Sequence, residues 1–380
     1  MSELNASNLR KEQGNEGPDL VGTTELTSPY FMVPPSGTTA ERPQNPQPGT
    51  LRFNTDIGSL EYFKGDTIGW ESIDRKTPNL GGGSGSNIGV GARGLAFGGN
   101  PGSSPYVRAQ IDYITISTQG NSADFGDCHT AVGQSCAFGN SKRGVACGGN
   151  TASSPYGNND TYMTIFASLG DATDFYTLTA TTKEATAFSN EVRGFANEPA
   201  ATQIAYASIE SGGNFVDFGV LTATSEQGAS YTSSTRGIVH INQSLSNVIN
   251  YITLMTLGDA ADFGDATAGR YGGSSGSNAT RGLFGGGWAP NVTNVIDYVT
   301  IATLGNSVDF GDLTDERYGM HGSCSSKTRM VHMGGHTNPG PAVNIMDYNQ
   351  FASKGDAKDF GDLTGTISSA AACSNGHGGL

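Results

Sequence analysis

Arg281 to Thr314 reads RGLFGGGWAPNVTNVIDYVTIATLGNSVDFGDLT. It opens with Arg-Gly-apolar, passes a run of glycines, continues into a β-branched and aromatic run around Tyr298, and closes on a glycine and Asp-Phe-Gly-Asp. No 3.6-residue apolar period runs through it, so a helix would have no face to bury. A short apolar run bounded by Gly and Asn reads instead as a strand covered on both sides.

The same frame recurs along the chain. Its arginine stands at Arg93, Arg143, Arg193, Arg236, Arg281 and Arg329, and its tyrosine at Tyr113, Tyr162, Tyr206, Tyr251, Tyr298 and Tyr348. Its Asp-Phe pair begins at Asp124, Asp174, Asp217, Asp262, Asp309 and Asp359. From the glycine to this Asp is four residues in all six copies, and from Asp to the next Arg is 19 or 20. Only the Arg-to-Tyr stretch varies, from 13 to 20 residues. A unit of 43 to 50 residues with one fixed frame and one loop of free length predicts a propeller blade, so residues 93–380 are expected to form six blades. SNGHGGL at the C-terminus stands in the register of SNATRGL, which places it beside the first unit as the strand that closes the ring. Binding, in such an array, is expected on the loops whose length varies.

Composition narrows the class. Glycine fills 56 of 380 positions without a three-residue period and with only 15 prolines, which excludes collagen, while 14 Tyr and 17 Phe are too many for a disordered chain. The formal charge is −14, from 35 acidic and 21 basic residues, with no Lys/Arg cluster. That excludes the electrostatic footprint of a nucleic-acid binder or an anionic-membrane binder. No apolar run approaches membrane-spanning length and the start MSELNASNLRKEQ is not a signal peptide, so a soluble chain made in the cytosol is expected. Cys128, Cys136, Cys147, Cys324 and Cys373 lack paired spacing and read as free thiols.

The glycine pairs Gly98-Gly99, Gly148-Gly149, Gly285-Gly286 and Gly334-Gly335, each followed by the tyrosine strand, resemble the double-glycine signature of kelch-type β-propellers. The third and fourth units carry Glu198-Pro199 and Asn242-Gln243 in its place, and the tryptophan expected later in a kelch unit is replaced by Asp-Phe-Gly-Asp. The wording from RGLFGGG to VDFGDLT is also similar to repeat arrays in virion structural proteins of tailed phages, especially those of marine cyanobacteria. Residues 1–45 are polar, proline-bearing and aperiodic, an extended arm that orders only on a partner. Residues 46–77 read as a small β-meander with Phe53, Tyr62 and Trp70 as its core, and resemble the β-modules that precede the distal parts of phage tail-fibre proteins. Residues 78–92 read as a glycine-rich linker.

These resemblances imply a non-enzymatic virion component in many copies, fibre- or spike-like at the tail or decorating the capsid. Its arm would hold other virion proteins and its propeller would meet a host-surface glycan or another partner. A carbohydrate-binding or glycan-cleaving propeller is the alternative. The longest loops place Tyr106, Tyr156, Asn100, Asn150 and His336 as ligand-binding candidates in one sector. The arginines are expected to pair with aspartates and lock blade to blade.

Motifs of chemistry reduce to the repeat. Asp-Phe-Gly lacks the glycine loop and HRD segment of a kinase, and Gly89 to Gly94 matches GxGxxG outside any βαβ unit. His332 and His336 are four apart but straddle a strand end with no third ligand evident. No catalytic residue, metal or cofactor is expected.

Overall fold

The computed structural model describes residues 34–57, 59–72, 92–152, 157–198, 201–338 and 340–380. The described residues are all-β and hold seven four-stranded sheets; the chain divides into two units, Met1–Thr77 and Pro78–Leu380.

In the first unit, Leu51–Asn54, Ser59–Phe63 and Trp70–Ser72 form an antiparallel meander. Ser36–Gly37 adds a parallel fourth strand beside Phe53 and Asn54. Residues 36–42, which composition places in the arm, therefore pack with this sheet, Ser36–Gly37 as a strand and Thr39–Glu41 as a short turn beside it. The reason is one buried carboxylate. Glu61 is fully buried, accepts from the Arg42 guanidinium at 2.5 Å and from Asn54 Nδ2 at 3.1 Å, and lies 3.5 Å from Arg52. The Arg42 hydrogen bond holds its carboxyl below the usual carboxylate range. Both guanidinium groups also lie over the Trp70 ring, at 5.7 and 6.0 Å. The earlier part of the arm, and the linker save Ala92, lie outside the described residues.

The second unit holds six sheets of one design. Sheet 2 runs Cys136–Gly139, Arg143–Cys147, Asn158–Ile165 and Thr173–Thr182. Sheet 3 runs Ala187–Ser189, Arg193–Asn197, Gln203–Ser208 and Val216–Val220. Sheet 4 runs Ser230–Thr232, Arg236–His240, Val248–Thr253 and Ala261–Asp265. Sheet 5 runs Ser274–Ser277, Arg281–Gly285, Val295–Thr300 and Val308–Asp312. Sheet 6 runs Ser323–Ser325, Arg329–Met333, Ile345–Gln350 and Lys358–Asp362.

Sheet 1 joins both ends of this unit. Its second to fourth strands are Arg93–Phe97, Arg108–Thr115 and Ala123–Val132, and its first strand is Ala371–Ser374. Ala371 lies opposite Phe97 and Ser374 opposite Gly94, where the register of SNGHGGL puts them. Asn375 Oδ1 accepts the Arg93 N–H at 2.7 Å, as Asn140, Asn190 and Asn278 accept those of Arg143, Arg193 and Arg281. The turn chemistry of Asn-x-x-Arg is thus reproduced across the junction of the two chain ends.

Each sheet packs on the next, and sheet 6 packs on sheet 1, through six separate apolar cores. Two-sided burial follows: Phe195 and Phe218 of sheet 3 meet Val239 and Ile252 of sheet 4, while Cys136 and Val145 of sheet 2 meet Ala205 and Ile209 of sheet 3. The five cysteines are buried and unbridged, and burial pushes the Cys128 and Cys373 thiols up to about 12.

The arginines do lock neighbouring sheets, but they do so on carbonyl groups rather than aspartates. Arg143, Arg193 and Arg236 donate from Nη1 to the carbonyls of Ile209, Leu254 and Ile301, at 2.7, 2.9 and 2.8 Å. Arg93, Arg281 and Arg329 reach Phe166, Phe351 and Ile116 in the same way. Five of the six also lie over the tyrosine of their own sheet, at 4.7 to 5.2 Å. The carbonyl wins because it terminates the neighbour's tyrosine strand, directly in the arginine's path, and the ring beneath adds a cation–π contact.

Buried aspartates answer a different set of arginines. Asp297 pairs with Arg270 and Asp347 with Arg317, all four nearly or fully buried, while Asp112 pairs with Arg108 at 2.6 Å. Where the fourth sheet offers no such arginine, Asn250 replaces the aspartate and binds Thr222 Oγ1 at 2.8 Å. A charge is kept only where a countercharge is buried with it.

Candidate functional site

The first strands of the six sheets touch in sequence, and Ala371–Ser374 touches Cys136–Gly139, so they surround one channel. Hydroxyls stitch its wall. Ser189 Oγ donates to Gly139 O, Thr232 Oγ1 to Ser189 O, Ser277 Oγ to Thr232 O, Ser325 Oγ to Ser277 O and Ser374 Oγ to Ser325 O, all at 2.6 to 3.0 Å. The remaining step is made by a different group: His377 Nε2 donates to Gly139 O at 2.8 Å while its Nδ1 accepts from the Gly379 N–H. The C-terminal turn thus fills that end of the channel, and burial lowers the His377 pKa.

At the opposite end, the loop after each second strand meets the connection that leads into the next sheet. One residue of each connection is left-handed: Gln134, Glu184, Gln227, Gly272, Gly319 and Ser369, with φ between 53° and 67°. Their peptides are joined around the channel mouth. Gln134 N–H donates to Ser369 O, Glu184 to Gln134, Gln227 to Glu184, Gly272 to Gln227, Met320 to Gly272 and Ser369 to Gly319, all at 2.6 to 2.9 Å. Four non-glycine residues in this conformation show how strongly the circle of hydrogen bonds over-determines it.

The candidates from sequence fall on this end. Asn100, Asn150 and His336 each stand seven residues after the repeat arginine, and their backbones bridge to Ser368, Gly133 and Tyr318 of the preceding connection. Their side chains are not gathered together: Asn100 Oδ1 accepts the Gly102 N–H, and His336 packs on the Tyr318 ring at 5.5 Å. Tyr106 is 59% exposed at a loop tip. Tyr156 lies outside the described residues. His332 is apart from His336, buried between Ser274 and Asn349, which bind its two nitrogens at 2.5 and 2.9 Å.

The fourth bridge of this kind joins Trp288 and Tyr271, with rings 5.2 Å apart, and residue choice alone passed it over. Its signal was present: Trp288 is again seven residues past its arginine, and Tyr271 and Tyr318 are each nine past the Asp of Asp-Phe. Two aromatic pairs therefore stand in adjacent sectors, at Tyr271–Trp288 and Tyr318–His336. Beside Tyr271 opens a cavity of about 460 Å³ lined by Thr224, Glu226, Gln227, Asn242, Gln243 and Ser244. It forms at a short Arg-to-Tyr stretch, 15 residues in the fourth unit, rather than in the sector of the longest loops.

No protein-family model matches the chain, and no curated protein matches it significantly.

Proposed function

We propose that the six sheets are the blades of a kelch-like β-propeller in a non-enzymatic phage virion protein, a tail-associated fibre- or spike-like component that presents one propeller face to a host surface or partner. The observation that carries the propeller reading is the cyclic repetition of one seam. The same arginine-to-carbonyl bond joins every sheet to the next, including sheet 6 to sheet 1 through Arg329 and Ile116. A display role is supported by an end rich in aromatic side chains and by a channel walled by hydroxyls and filled by His377. The virion assignment rests on the repeat wording and on an N-terminal segment whose composition suits ordering on other virion proteins.

Mass spectrometry of purified particles tests the assignment. Several copies per particle are expected, lost when residues 1–33 are deleted. Absence from particles overturns it, and immunogold labelling of the capsid in place of the tail converts it to decoration.

A further inference from the structure

We propose that the cavity beside Tyr271 binds a neutral glycan. The inference deepens the display reading by naming the ligand class of that face.

The cavity has the size of ordinary small-ligand sites, which run from roughly 300 to 1,000 Å³. Its chemistry is selective. Tyr271 is the one aromatic lining residue, half-buried and backed by Trp288, which fixes the plane of the ring. Every other lining side chain is polar: the Glu226 carboxylate, the amides of Gln227, Gln243 and Asn242, and the hydroxyls of Thr224 and Ser244. Such a surface has no complement for a lipid or an apolar peptide side chain. No Lys or Arg lines it, so a phosphate, sulfate or sialic acid would meet Glu226 without a countercharge. A sugar ring presents the matching groups: an apolar C–H face for the tyrosine, and hydroxyls that both donate to a carboxylate and exchange hydrogen bonds with amides.

The wall is built before the ligand arrives. Asn242 Oδ1 accepts the Glu226 N–H at 2.9 Å and its Nδ2 donates back to the Glu226 carbonyl, which clamps the loop to the connection. Gln227 is held left-handed in the circle of peptides, donating to Glu184 at 2.8 Å and accepting from Gly272 at 2.9 Å. The side chains of Glu226, Gln227 and Gln243 make no hydrogen bond to other described residues. Their donors and acceptors are available to a ligand, on backbone whose ordering cost is already met.

The experiment uses the full chain on an array of neutral, sialylated and sulfated oligosaccharides, followed by titration calorimetry with the neutral hit. Binding to neutral structures alone is expected. Tyr271→Ala and Glu226→Gln should each weaken it at least about tenfold at unchanged melting temperature, whereas Tyr271→Phe, which keeps the stacking face, should stay within about threefold. If no neutral oligosaccharide binds, if anionic ones are preferred, or if folded Tyr271→Ala and Glu226→Gln bind as the wild type does, the proposal is overturned. The particle measurement reads the virion assignment separately, so a glycan-binding chain absent from virions, or a virion protein with an inert cavity, tells which reading failed.

Discussion

Five of the seams between sheets are closed by glycine against glycine, and one is not. At Gly126, Gly219, Gly264, Gly311 and Gly361 the fourth strand of one sheet meets Gly170, Gly258, Gly305, Gly355 and Gly120 of the next. A Cβ at any of the first five would lie 2.4 to 2.6 Å from that neighbour's carbonyl, and their φ values lie between 143° and 157°. Between sheets 2 and 3 the position is Tyr176, whose hydroxyl occupies the space beside Gly212, and the main-chain hydrogen bond across the rim lengthens to 3.4 Å at Phe215 N–H to Thr177 O. The same seam departs at its arginine. Tyr162 comes one residue earlier in its unit, so it turns into the core between sheets 1 and 2, and Met163 lies opposite Val145 where the other sheets place their tyrosine. The difference teaches that close main-chain approach is one way to seal a seam, and that apolar burial together with polar contacts, here from Arg143 to the Ile209 and Glu210 carbonyls and from Asn140 to the Glu210 carboxylate, suffices for another.

The harshest break is to remove a strand that makes two seams at once. Deleting residues 371–380 takes away the first strand of sheet 1 and His377, leaving raw edges on both sides. A loss of more than about 5 kcal/mol in urea unfolding, or no cooperative transition, is expected. Next is Gly311→Ala, which combines a glycine-only backbone with a main-chain clash and should cost about 3 kcal/mol or more. Tyr176→Gly at the unlike seam has no backbone to relieve and loses only partly buried ring area, so about 1–2 kcal/mol is expected from the same measurement.

Acid should act on the seam between sheets 4 and 5. His240 is buried beside Tyr231 and Phe284, and desolvation lowers its pKa to about 3. Because the folded value is below the ordinary one of about 6.5, the unfolded chain takes up a proton that the folded chain refuses. Stability is therefore full above about pH 6.5 and falls towards pH 3, at about 1.4 kcal/mol per pH unit for this site. Between pH 7 and 5, His240→Phe should lose about 2 kcal/mol less than the wild type in parallel denaturant titrations. The smallest expected contrast is between arginines. Arg281→Ala gives up a carbonyl bond and the Tyr298 ring and should cost about 2 kcal/mol, while Arg143→Ala, with no tyrosine beneath it but with a second carbonyl bond and an exposed ion pair at Glu210, should cost about 1 kcal/mol. Equal costs would show that the ring contributes no more than the Glu210 contacts that Arg143 makes in its place.

The frame of the repeat was legible in one dimension because it rests on local rules. A glycine seven or eight residues past the tyrosine, Asn or Ser three before five of the six arginines, and a β-branched run between them each satisfy turn or strand geometry within a few residues. The register of the C-terminal strand follows from the same local count. Counting alone slipped where the local signal was degenerate. In the triple glycine 285–287 the left-handed pair is Gly286-Gly287; in the fourth unit the same count from the arginine falls on Ile241-Asn242 rather than Asn242-Gln243, and the left-handed residues are Ser244 and Leu245.

What lay beyond the sequence was every choice made between units. An arginine's partner is 61 to 73 residues away when both lie in consecutive sheets, and in sequence a nearby aspartate looks as good as a distant carbonyl. The Tyr271–Trp288 pair and the cavity beside it depend on which loop is short enough to leave space and which connection turns left-handed beneath it. Those are properties of packed neighbours, whose positions are set by excluded volume and hydrogen bonding around the whole cycle of sheets, and no single repeat encodes them.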